Sequence, residues 1–189
     1  MPLVNGRYGP KNPNWLLAGQ PAGLSRANIE RQLVLNDGAV LTTQVMLATA
    51  LPLFAGDTVS SLAFSSGGTA AVSPTNWWVA LYSDDATPQL LAQSADQLTA
   101  AWAANTVKTL SLASAVQIPR TGVYYAALMV KAGTTPSLLG LATLTGAVTG
   151  YTAGDKLLTS LSGAALTGTA PGTIASPSAS AFVPRVVAG

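Results

Sequence analysis

Trp77-Trp-Val-Ala-Leu-Tyr82 and Gly122-Val-Tyr-Tyr-Ala-Ala-Leu-Met-Val-Lys131 decide the fold class. Aromatic and β-branched residues crowd both, as they do on a pleated surface. Ser83-Asp84-Asp85 closes the first, with Pro88 just beyond, and Gly133 to Ser137 closes the second, with Pro136 inside the turn. Outward from these, Val59 to Phe64, Leu90 to Gln93, Val107 to Leu112 and Leu138 to Leu144 read as further strands. Val40 to Leu51 alternates moderately, and Thr42, Thr43 and Thr49 add β-branched positions. Asn36-Asp37-Gly38 between apolar runs predicts a hairpin turn, Ala55-Gly56-Asp57 a turn, and Ser66-Gly67-Gly68 a wide hairpin tip. Ser25 suits the N-cap of one or two helical turns, while the Ala-rich window from Asp96 to Asn105 fits either a short helix or a connection. Beyond Gly146 the pattern weakens into Gly, Ala, Ser and Thr, and Phe182, Val183, Val186 and Val187 close the last edge. About eight short strands separated by turns predict an all-β, jelly-roll-like antiparallel β-sandwich over residues 33–189. In front of it, residues 1–32 form an extended N-terminal arm.

The residues that are missing narrow the chemistry. The chain has 189 residues, of which 8% are charged, with no Cys and no His. Disulfides, thiolate nucleophiles, zinc knuckles and the usual Ser-His-Asp and Cys-His triads are excluded. Seven carboxylates remain, without spacing that points to paired acid–base work. Asp84-Asp85 with Asp96 matches no calcium loop and reads as turn chemistry. Ser65-Ser-Gly-Gly-Thr lacks the Lys and following helix of a phosphate loop. The expectation is a non-catalytic protein without cofactor or metal. The longest apolar run, Val123 to Val130, falls far short of the ~18–20 residues of a membrane span. No signal-peptide core precedes it, so the reading is a soluble product outside the general secretory route.

The net charge of +2 is unevenly spread. Arg7, Lys11, Arg26 and Arg31 face Glu30 alone in residues 1–31, which leaves +3 there and −1 on the remainder. Four bases over that length are too sparse to track phosphates, so nucleic acid is not the expected partner and an acidic protein surface is. Gly6, Gly9, Pro10, Pro13, Gly19, Pro21 and Gly23 forbid a regular element, yet Tyr8, Trp15 and Leu17 are bulky apolar anchors. An arm that packs on its own domain and one that orders on a neighbour both fit. Arg7, Tyr8, Lys11, Trp15, Leu17, Arg26 and Arg31 are the candidate partner-binding residues. Adjacent strand residues point to opposite faces, so one of Trp77/Trp78 and one of Tyr124/Tyr125 is expected to face outward. A subunit interface is the preferred cover for these aromatics, ahead of a loop of the same chain or a sugar surface.

The strand block from Ala55-Gly-Asp-Thr-Val, through Pro74-Thr-Asn-Trp-Trp-Val-Ala-Leu-Tyr and Leu91-Ala-Gln-Ser-Ala-Asp, to Gly122-Val-Tyr-Tyr-Ala-Ala-Leu-Met-Val-Lys resembles a β-sandwich module of tailed-bacteriophage virion proteins, particularly those of actinobacterial hosts. It covers roughly residues 33–145 and carries no catalytic motif. The resemblance implies a structural virion protein, and the compact sandwich with a basic arm and no long shaft favours, among such proteins, a capsid decoration (cement) subunit on the capsid exterior, assembled in the host cytoplasm. Minor tail protein or head-fibre subunit is the alternative, and a carbohydrate-binding adhesion module a more distant one. The implied partners are the major capsid protein or another virion protein, and further copies of the chain in a homotrimer, with no membrane involved.

Overall fold

The computed structural model describes residues 25–34, 36–150, 152 and 154–189. Arg7, Tyr8, Lys11, Trp15 and Leu17 therefore lie outside the described residues. The chain is all-β, and every strand pair is antiparallel. The largest sheet runs, in spatial order, β11 (Ser178–Ala179), β10 (Thr159–Ser162), β3 (Met46–Leu53), β8 (Gly122–Thr134), β5 (Val72–Tyr82) and β6 (Leu90–Gln93). A second contains β1 (Arg26–Ala27), β13 (Val186–Ala188), β4 (Thr58–Ser65) and β7 (Val107–Gln117). A third contains β12 (Phe182–Pro184), β9 (Ser137–Ala142) and β2 (Asn36–Val40). Isolated bridges join the sheets at their corners, Ser94 to Leu112 and Ser66 to Leu138. Thirteen strands among the described residues, from two to thirteen residues long, thus replace the expected eight or so.

The pleat assigns the apolar residues to two cores. Trp77, Val79 and Leu81 of β5 and Tyr124, Ala126, Leu128 and Val130 of β8 point inward. They meet Val59, Leu62 and Phe64 of β4, Leu112 of β7 and Val186 of β13, which is the sandwich core. Trp77 also stacks on Trp102, ring centroids 5.1 Å apart. The alternate residues, Trp78, Ala80, Tyr82, Tyr125, Ala127 and Met129, point the other way and are buried too.

Their cover overturns the expectation for Trp77, Trp78, Tyr124 and Tyr125: none waits for another subunit. The weakly patterned segment 163–177 crosses the outer face as a strap, and its Ala170 and Ile174 complete a second core with Leu166 packed against it. A strap without regular structure must find partners for its backbone polar groups. The aromatic tips supply them: Trp78 Nε1 donates to the Thr167 carbonyl at 2.7 Å and Tyr82 Oη to the Pro171 carbonyl at 2.7 Å. Gln93 Oε1 accepts from Ala170 N at 2.7 Å, and Ser162 Oγ donates to the Ala175 carbonyl at 2.7 Å. Ala48, Ala50, Ala80 and Ala127 leave the outer face shallow enough for the strap to lie close.

Several local expectations change with the tertiary pairing. Asn36-Asp37-Gly38 is no hairpin turn; it lies in β2, where Asn36 pairs with Gly140 and Asp37 with Leu139. Asp37 instead caps a loop, accepting from Gly68 N at 2.7 Å. Ser66-Gly67-Gly68 is a crossing between sheets, since β4 and β5 belong to different ones, and Ser66 is fully buried with Oγ donating to the Ala103 carbonyl. Ser25 opens no helix: β1 follows it, then a 3-10 turn over Arg31–Leu33. The Ala-rich window is a connection. Asp96 pins it by accepting from Trp77 N at 2.9 Å and Leu98 N at 3.1 Å.

Candidate functional site

The N-terminal corner of the sandwich holds Arg26 and Arg31, the two of the seven predicted arm residues that are described. Arg26 sits in β1, opposite Ala188 of β13. Its guanidinium meets Asp57 in a bidentate pair, Nε to Oδ2 at 2.8 Å and Nη2 to Oδ1 at 2.8 Å, and lies 4.6 Å above the Phe54 ring. The tight turn Phe54-Ala55-Gly56-Asp57 presents that carboxylate, because Gly56 adopts φ +90° and Asp57 N bonds back to the Phe54 carbonyl. Asp57 Oδ2 accepts in addition from Phe54 N at 3.0 Å. Arg26 is thus committed within its own chain rather than offered to a partner. Within the segment 1–32 read as an arm, Arg26–Ala27 pair with β13, while Arg31–Leu33 form an exposed 3-10 turn.

The hydrogen bonds from Arg26 hold the Asp57 carboxyl below the usual carboxylate range, outweighing the opposing effect of burial. A carboxyl depressed in the folded state stabilises above its unfolded value of about 4 and loses that contribution as the pH falls through the folded value. Asp57→Asn is expected to cost about 1.5–3 kcal/mol at neutral pH, the range for hydrogen bonds to charged groups. The gap between variant and parent should narrow below about pH 4. Thermal melts across pH check this; a constant gap down to acid would contradict the ion pair as its source.

Arg31 and Arg185 stand beside this lock. Arg31 is exposed on the 3-10 turn, and Leu33, two residues on, is 49% exposed. Arg185 is partly buried, with Nε donating to the Ile29 carbonyl at 3.2 Å. Burial and the neighbouring Arg31 lower the Arg185 pKa against the opposing pull of Glu30, and the group stays charged at any physiological pH. Glu30 already stands beside them, so the three groups together keep one net positive charge.

Asp84 and Asp85 form the turn expected of them. Arg120 clamps both, with Nε 2.9 Å from Asp84 Oδ1 and Nη2 2.7 Å from Asp85 Oδ1, which ties the β5–β6 turn to the β7–β8 turn. Asp96 is not with them; it serves the Trp77 backbone. Among the described residues no helix is long and apolar enough to cross a membrane.

Compared with known proteins, the chain matches no family model and no curated sequence. The functional reading therefore rests on the residues themselves and on the resemblance of the strand block.

The sequence reading missed Arg185 and the strap. Arg185 lies apart from the basic segment in sequence, and only the pairing of β13 with β1 brings it there. The strap did carry a signal. Six consecutive buried residues in Trp77–Tyr82 read as a near-continuous apolar run, the pattern of a strand covered on both faces.

Proposed function

We propose that this chain is a structural virion subunit of the capsid-decoration kind. It docks on the exterior of an assembled shell through residues 1–24 and the corner that holds Arg31 and Arg185. The observation that carries the reading is that corner, where Arg31 and Arg185 stand with Glu30 beside exposed Leu33 and keep one net positive charge. Such a surface suits an acidic, partly apolar lattice. The resemblance of the strand block to virion sandwich modules supports the same choice. A protein that binds only the assembled shell stabilises it by mass action, and many weak sites around a shell add up.

The reading includes self-association as a trimer. β7 ends the four-stranded sheet and exposes Val107, Thr109, Ser111, Ala113 and Ala115, a row without charge. An uncharged face of this kind is better suited to close packing against another copy than to exposure. Sedimentation at micromolar concentration should give a trimer, and a monomer would remove this part of the proposal.

Arg31→Glu tests the corner, since the side chain is exposed and buries nothing. Loading on shells that lack the protein should weaken by about fivefold, and the parent protein should bind less well as salt rises. Equal loading by parent and variant would take the corner out of the interface.

A further inference from the structure

The strap, residues 163–177, leaves the sheet after β10 and returns at β11, and those two strands pair, Ser160 with Ala179 and Leu161 with Ser178. Its ends are therefore held side by side, which gives it the form of an Ω-loop. None of its residues lies in a strand of the three sheets, and a single bridge, Gln89 to Thr173, joins it to the chain just before β6. β6 has its own pairing to β5, with Gln93 opposite Ala80 and Ala92 opposite Leu81. Lifting the strap breaks no pair of neighbouring strands.

What holds the strap down is local. Its apolar seal is Leu166, Ala170 and Ile174, set against the outer face. To the side-chain bonds described above, Gln44 adds Nε2 to the Leu166 carbonyl at 3.2 Å. Leu90 N donates to the Gly172 carbonyl at 2.9 Å, and Ile174 N to the Pro88 carbonyl at 3.0 Å. A segment with so small an apolar seal belongs to the low-stability end of a structure. Both of its ends are strained as well. Ala165 has φ +53° and Ser176 φ +45°, a left-handed backbone that a residue with a side chain adopts only at a cost. Pro177 in addition pushes the residue before it toward extended backbone. Opening releases the strain at both ends, whereas the paired strands that flank them stay in place.

We infer that the strap is a latch: it opens and recloses as a unit over an intact sandwich, and the left-handed residues Ala165 and Ser176 at its ends set how often. Open, it bares Trp78 and Tyr82, both fully buried when it is closed. The latch uses no residue of the basic corner, so it stands or falls independently of the docking reading.

Native-state hydrogen exchange on the full chain, read by NMR and corrected for intrinsic rates, tests the latch. The Leu166, Ala170 and Ile174 amides and the Trp78 indole N–H should exchange together. Their rate should be at least about tenfold above that of the amides of β8, which has a strand on either side. Low urea should speed the strap group less than β8, because opening exposes less surface than unfolding. Ala165→Gly and Ser176→Gly should each slow the strap group about fivefold, since glycine takes the left-handed conformation without the cost. A strap that exchanges with β8 at one rate and one urea slope overturns the latch, as do strap groups that exchange at unrelated rates. Exchange unchanged in either glycine variant overturns it too, because strain at the ends would then not govern the opening.

Discussion

Trp78→Ala should destabilise the isolated protein by about 3–5 kcal/mol, the range for emptying a large aromatic site in a core. Trp78 is fully buried on the outer face of β5, and its Nε1 supplies the hydrogen bond at Thr167 that holds the strap. Truncation removes apolar volume and leaves a strap carbonyl without its donor, two costs at one position. The account differs here from one in which this aromatic waits for a neighbouring subunit, since an interface residue can be truncated with little effect on the free subunit. Trp78→Phe separates the two costs: it keeps much of the packing, loses the donor, and should cost about 1–3 kcal/mol. Urea unfolding reads both as shifts in midpoint at constant slope. A loss below about 1 kcal/mol in Trp78→Ala would mean that the strap does not form a second core.

Removing residues 1–24 should abolish loading on shells while leaving the sandwich folded. The cut falls before β1, so Arg26, its pair with Asp57 and the pairing of Arg26 with Ala188 all survive. What goes is Arg7, Lys11 and three large anchors, Tyr8, Trp15 and Leu17. Full burial of a large apolar side chain is worth about 1.5–3 kcal/mol, and ordering an extended arm returns part of that. A net loss of about 4 kcal/mol corresponds to about 1000-fold in affinity. The unfolding midpoint of the truncated protein should match the parent. A clearly lower midpoint would show that the arm packs on its own sandwich instead.

Layer architecture was legible in the sequence because strand signals are local. Val59 to Phe64, Trp77 to Tyr82 and Gly122 to Lys131 lie inside observed strands, and their alternation sorts residues between faces. What failed was decided by partners far away in the chain. Asn36-Asp37-Gly38 has turn chemistry, yet pairing with β9 about a hundred residues later draws it into a strand. The outward aromatics were correctly placed on opposite faces, but their cover is a segment without periodicity, held by carbonyls that any residue carries. Asp57 gave no sign of its role either. A carboxylate in a Gly turn is ordinary until the fold sets Arg26 against it. The basic corner was half legible, since Arg31 belongs to the charged N-terminal segment whereas Arg185 arrives through the last strand.

The most direct test of the docking account counts copies on purified shells that lack the protein, after incubation with the full chain or with the chain shortened by residues 1–24. The account predicts saturable loading of the full chain on the shell exterior, none of the shortened one, and rupture of loaded shells only at higher temperature than bare shells. Equal loading by both forms, or a full chain that ignores shells and binds tails, would contradict it.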